Sequence, residues 1–211
     1  MSRTPRGALL LLGMSCLGHV VPWRAAPAQR GTDVRLARLD STTRVVVAGV
    51  VDSARKTHLP TEPLIDKALE GAQKGAEGTR IVSAVRGLYA ELRSARAALG
   101  AGAATEEINA GASAIHAGMP MRTLTQLRAV SQHAGRARVT LPLTVYTDLI
   151  ARKVPPAVAS DVVLSLARAG LRDGDYAMFQ RNVRLDIENG ADAATAAQTR
   201  ARGATLRNVG R

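Results

Sequence analysis

Apolar residues recur along this chain at intervals of three and four, in short stretches divided by one repeated phrase. After Asp40 and Ser41 they fall at Val46, Val47, Val50, Val51 and Ala54, the spacing that lines one face of a helix. Four valines would also suit a strand, and Gly49 weakens either reading. No second strand-like stretch is available to pair with them, which decides for a helix. Asp40 and Ser41 offer N-cap oxygens to the first-turn amides. The helix should end near Thr57, before Leu-Pro, because a residue preceding proline avoids the helical region.

The repeated phrase is an apolar residue, then proline, then an apolar residue about one turn later. It occurs in "THLPTEPLIDKAL" from Thr57, "HAGMPMRTLTQL" from His116 and "ARKVPPAVASDVV" from Ala151. Proline in a first helical turn lacks an N–H that would go unpaired there, and its φ is already helical. Helical spacing follows each one: Leu64, Ile65, Ala68, Leu69 and Ala72 after Pro60; Leu124, Leu127 and Val130 after Pro120; Val158, Val162, Val163 and Leu166 after Pro155. Without proline, Ile81, Val85, Leu88 and Leu92 share a face, as do Ile108, Ala112 and Ile115, and Ala196 follows Asp192. Gly75, Gly102, Gly118, Lys153 or Gly190 leads these units, where a preceding helix favours glycine just past its end. Two further helices fit Pro142 to Lys153 and Asp173 to Asn189, the second with Tyr176, Phe179, Val183 and Ile187 on one face.

The phrase is therefore punctuation, a helix stop joined to a helix start. It predicts an all-α fold of about nine short helices with short connections, an irregular antiparallel bundle or a short solenoid-like array. The units are unequal, roughly 16 to 37 residues apart, so they match no regular repeat period. The boundaries read as a cleavable signal peptide over 1–28, a linker over 29–39, a helical domain over 40–203 and a basic tail over 204–211.

The first segment sets the expected compartment. Arg3 and Arg6 precede an apolar run from Ala8 to Val21, and Ala26 and Ala28 stand at −3 and −1 of an A-x-A site. That is the layout of a secretory signal, with cleavage before Gln29 and export to the periplasm or beyond. The run falls short of the roughly 20 apolar residues of a membrane span. An uncleaved anchor is the competing reading. Cys16, the one cysteine, lies within the run. A lipoprotein signal through Cys16 is the alternative, but Gly13 stands where such signals want leucine. Loss of Cys16 would leave no disulfide, thiolate chemistry or Cys-based zinc site.

Composition then narrows the chemistry. The 211 residues carry 29 Lys and Arg against 17 acids; Arg3, Arg6 and Arg24 fall in the signal, so the remainder stays near +9. It keeps about 183 residues, enough for one domain with a real core. Beyond the signal the only lysines are Lys56, Lys67, Lys74 and Lys153, an Arg-rich, Ala-rich bias that a GC-rich genome produces without a polyanion partner. His58, His116 and His133 form no pair at one-face helical spacing and no H-E-x-x-H. His58 and His116 precede similar turns, which predicts a shared role at a helix end. Gly111-Ala112-Ser113-Ala114-Ile115 lacks the last glycine of a nucleophile elbow. "GAGAAT" from Gly100 lacks the third glycine of a phosphate loop and follows a helix rather than a strand. Glu106 with Glu107, and Asp173 with Asp175, sit where helix caps belong and lack the separated environments of an acid–base pair.

Arginines give the one candidate site, set against the default reading of a merely solvated basic face. No acid occurs between Glu107 and Asp148, where Arg122, Arg128, Arg136 and Arg138 stand; after Asp192 come Arg200, Arg202, Arg207 and Arg211. Such clusters can grip phosphates or carboxylates through two N–H groups at once. Nucleic acid is disfavoured, since no interleaved aromatics or recognisable module accompany them. The stretch from "LPTEPLIDKALEGAQKG" through "RIVSAVRGLYAELRSARAAL", with the Gly-Met-Pro and Val-Pro units, resembles exported helical proteins of GC-rich bacteria. The resemblance is architectural and implies no activity or site residue.

The sequence thus points to an exported, non-enzymatic interaction or scaffold protein of the bacterial envelope, with an unidentified protein partner. The alternative is a binder of anionic envelope polymers or lipid headgroups through Arg122, Arg128, Arg136, Arg138, Arg200, Arg202 and Arg207. An enzyme with an unrecognised site is the third reading. No catalytic, metal or cofactor residue is nominated, and no cofactor is expected.

Overall fold

The computed structural model describes residues 33–133 and 139–209. The expected signal peptide with Cys16, Ala26 and Ala28, together with Arg136, Arg138 and Arg211, lies outside the described residues. Among the described residues, nine α-helices follow a short 3-10 turn, Val34–Arg38: α1 (Ser41–Lys56), α2 (Glu62–Gln73), α3 (Gly78–Leu99), α4 (Thr105–His116), α5 (Met121–His133), α6 (Thr140–Ala151), α7 (Pro156–Arg168), α8 (Asp173–Glu188) and α9 (Ala193–Val209). No strand occurs among the described residues.

Six of the helix ends are built alike. After α1 the Leu59 N–H donates to Ala54 O at 2.9 Å and the His58 N–H to Arg55 O at 3.1 Å. The same pair of bonds closes α2 through Ala76 and Gly75, α4 through Met119 and Gly118, and α6 through Val154 and Lys153. It closes α7 through Leu171 and Gly170, and α8 through Ala191 and Gly190. This is the Schellman stop, which uses orphan carbonyls of the last turn and requires a left-handed residue. That residue has positive φ in every case, including two that are not glycine, His58 at 54° and Lys153 at 66°. The next residue is apolar, and at four of the six stops it turns inward: Leu59, Met119, Val154 and Leu171 are buried, whereas Ala76 is half-buried and Ala191 exposed.

A helix start follows at once. Asp40 Oδ1 accepts from the Thr43 N–H at 2.9 Å and Asp192 Oδ1 from the Thr195 N–H at 2.8 Å, each satisfying a first-turn amide. Two prolines sit earlier than the sequence suggests, Pro155 one place and Pro60 two places before the first helical residue. Pro155 caps α7 while Pro156 takes its first position, and Pro60 precedes the cap Thr61 while Pro63 enters the first turn of α2. The α3–α4 joint also departs from the expected register: Gly100, not Gly102, has the positive φ, at 86°.

Residues flanking the expected helical domain also pack with it. Within the expected linker, Leu36 and Leu39 are buried, because residues three apart eclipse on one side of a 3-10 turn. The expected tail continues α9 to Val209, carried by Ala201 and Ala204, which are buried one turn apart.

The helices pack in two rows. One runs α1 on α3, α3 on α5, α5 on α7 and α7 on α9; the other runs α4 on α6 and α6 on α8. The rows meet where α3 packs on α2 and α4, α6 on α7, and α8 on α9. Small residues let the rows close. A Cβ on Gly111 of α4 would stand 3.0 Å from Ala95 Cβ and 3.2 Å from Leu99 Cδ1 of α3, so glycine there sets the approach of these two helices. Helix α2 packs on α3 and the 3-10 turn and makes no comparable contact with α4. Part of α3, the longest helix at 22 residues, therefore stays uncovered between them.

Candidate functional site

Two of the expected arginines, Arg128 and Arg200, pair with acids of other helices. Arg128 is largely buried, with Nη1 3.2 Å from Oε1 of the buried Glu107. Glu107 also accepts from the Ala104 N–H at 3.0 Å and the Val139 N–H at 3.1 Å, so it ties the starts of α4 and α6 to α5. Arg200 grips Asp186 of α8 with two bonds of 2.6 Å. That pairing lowers the Asp186 pKa and raises that of Arg200. Neither arginine is unopposed, because packing supplies acids from other helices. Arg122, Arg202 and Arg207 are exposed.

The uncovered part of α3 is the floor of a groove of about 510 Å³ between α2, α4 and α6. Ala84, Gly87 and Leu88 form the floor, and Ser113 of α4, its cap residue Ala117 and Thr147 of α6 form the wall. A Cβ on Gly87 would meet nothing within 4 Å, although glycine in a helix interior costs about 1 kcal/mol relative to alanine. The backbone of α3 is therefore open to close approach at that point. At the rim, His116 Nδ1 lies 2.8 Å from Glu91 Oε1, with His116 78% exposed. Lys67 of α2 stands on the opposite rim and reaches Glu70 at 3.2 Å.

This arrangement suits an apolar side chain held against a helix backbone, with polar groups at the margin to orient it. The two histidines are not equivalent: His58 occupies a left-handed helix stop, whereas His116 closes α4 and faces Glu91. Among the described residues no three of His, Cys, Asp and Glu come close enough to hold a metal ion. No described helix is long and apolar enough to cross a membrane. Inside the protein, the Tyr146 and Ser160 hydroxyls are buried without a hydrogen bond of ordinary geometry. Burial raises the Tyr146 pKa, with Ser160 opposing the shift.

Helical spacing assigns Leu88 to the core and gives Gly87 no role. Leu88 is half-buried instead, on the groove floor. The available signal is Gly87 itself, a glycine inside a strong helical pattern with no cap to form. Compared with known proteins, the chain matches no protein-family model, no curated protein and no solved structure.

Proposed function

We propose that this chain is an exported, non-enzymatic interaction module of the cell envelope that seats a protein partner's apolar segment in the groove over α3. The observation that carries this reading is the groove itself: an apolar floor, a neighbourless Gly87 and a polar rim of Lys67, Glu91 and His116. The Arg-cluster reading is the weaker one, since Arg128 and Arg200 are committed to Glu107 and Asp186. Export rests on Arg3, Arg6, the apolar run and the Ala26 and Ala28 pair. Intact mass from an exporting host should give a chain beginning at Gln29; a lipid-modified Cys16 or a retained Met1 would contradict it. For the groove, Leu88→Glu should abolish retention of a partner from envelope fractions while the helical circular dichroism is kept. Retention equal to wild type contradicts the reading.

A further inference from the structure

A second depression, of about 260 Å³, lies between α6 and α8, and the cations that line it belong to neither expected arginine cluster. Arg152, the cap just past α6, and Arg181 and Arg184 of α8 surround it, with Asp148 and Gln180 in the wall. These cations are not equally available. Arg152 Nε donates to both oxygens of Asp148 at 3.1 and 3.0 Å, and Gln180 Nε2 donates to Asp148 Oδ2 at 3.3 Å. Asp148 is thus consumed inside the wall, and Arg152 is held in place by it. Arg184 reaches only Glu188, at 3.7 Å with both side chains more than half exposed, a pair that contributes little. Arg181 is exposed on the adjoining turn. Two guanidinium forks therefore face the opening without a strong internal partner.

Their surroundings narrow the ligand. Met178 and Leu185 are 50% and 44% exposed, three residues before and four after Arg181, so they share its face of α8. The strip reads apolar, cationic, apolar beside a cationic depression. The geometry points to a carboxylate-binding subsite for an acidic, amphipathic segment of a protein partner, which sets its carboxylates on Arg181 and Arg184 and its apolar side chains on Met178 and Leu185. A carboxylate matches the planar fork of arginine through two N–H bonds at once. A phospholipid surface fits less well, because the cations line a recess and the Asp148 carboxylate stands in its wall.

The test uses the full folded domain and a capped, fluorescent peptide carrying glutamates and leucines at three- and four-residue spacing, read by anisotropy. A counterpart with glutamine in place of each glutamate controls for the apolar side. Phosphatidylglycerol vesicles compete in a separate arm. The acidic peptide should bind, weaken as salt rises, and lose about tenfold or more in affinity with Arg181→Gln/Arg184→Gln. Arg86→Gln/Arg93→Gln on α3 removes the same charge elsewhere and should leave binding unchanged, as should Leu88→Glu in the groove. Equal loss with the α3 variant would reduce the site to bulk charge and overturn the assignment. So would equal binding of the glutamine peptide, or displacement by vesicles at lower concentration than the peptide requires.

Discussion

Charged residues here serve mainly as fasteners. Asp33 accepts from the Arg35 backbone N–H at 2.9 Å and from its guanidinium at 2.8 and 3.0 Å. The side-chain bonds to Arg35, and then the backbone bond, hold its pKa down at about 2 against an ordinary 3.8. Hydrogen bonds likewise lower Asp40 through Thr43, Glu62 through Arg35 and Asp186 through Arg200. A carboxylate whose pKa falls on folding adds stability that is present above its unfolded value and lost as pH drops toward its folded one. Melting temperature should therefore stay level from neutral pH to about 5 and fall between about 4 and 2, with Asp33→Asn removing part of that fall. A melting temperature that rises on acidification, or no difference in Asp33→Asn, contradicts this. The capping role of Glu107 is readable in the sequence, because a carboxylate three residues into a helix reaches back to the cap. Its partner Arg128 is not, since a pairing across 21 positions depends on how helices pack, which local spacing does not encode.

At the level of elements, the helix stops explain both what is legible and what is not. Glycine followed by an apolar residue and a cap is a strong local signal, and it locates the ends of α2, α4 and α8. The stops at His58 and Lys153 carry the same hydrogen bonds with a side chain in place of glycine. An L-residue in the left-handed region is strained by its Cβ. Neither side chain is buried, so removing them costs little packing. His58→Gly and Lys153→Gly should each stabilise the domain by about 0.5–1 kcal/mol, seen as a higher urea midpoint with an unchanged slope. A lower midpoint in both would mean that these side chains make contacts the stop does not need. Leu36 and Leu39 escape the periodic reading because a single 3-10 turn is too short to display a period. Their burial turns a polar, basic stretch into part of the core.

For the whole molecule, two-row packing is what creates surfaces for recognition. Because α2 packs on α3 rather than on α4, the second row is interrupted, and the interruption is the apolar groove. The basic depression borders a neighbouring face of α6, about 100° round the helix: Thr147 lines the groove and the next residue, Asp148, the depression. The all-α character follows from periodicity alone. The gap does not, because it depends on which helices touch. The most direct test of the groove is site-specific photo-crosslinking in an exporting host, with the photoreactive residue at Gly87 and, as a control, at Gly49. Both glycines lie inside helices at points where an added Cβ would meet nothing within 4 Å, so both variants should fold. A discrete crosslinked protein from position 87, absent from position 49 and lost with Leu88→Glu, is the expected result. No product from position 87, or the same products from both positions, would contradict the groove as a docking site.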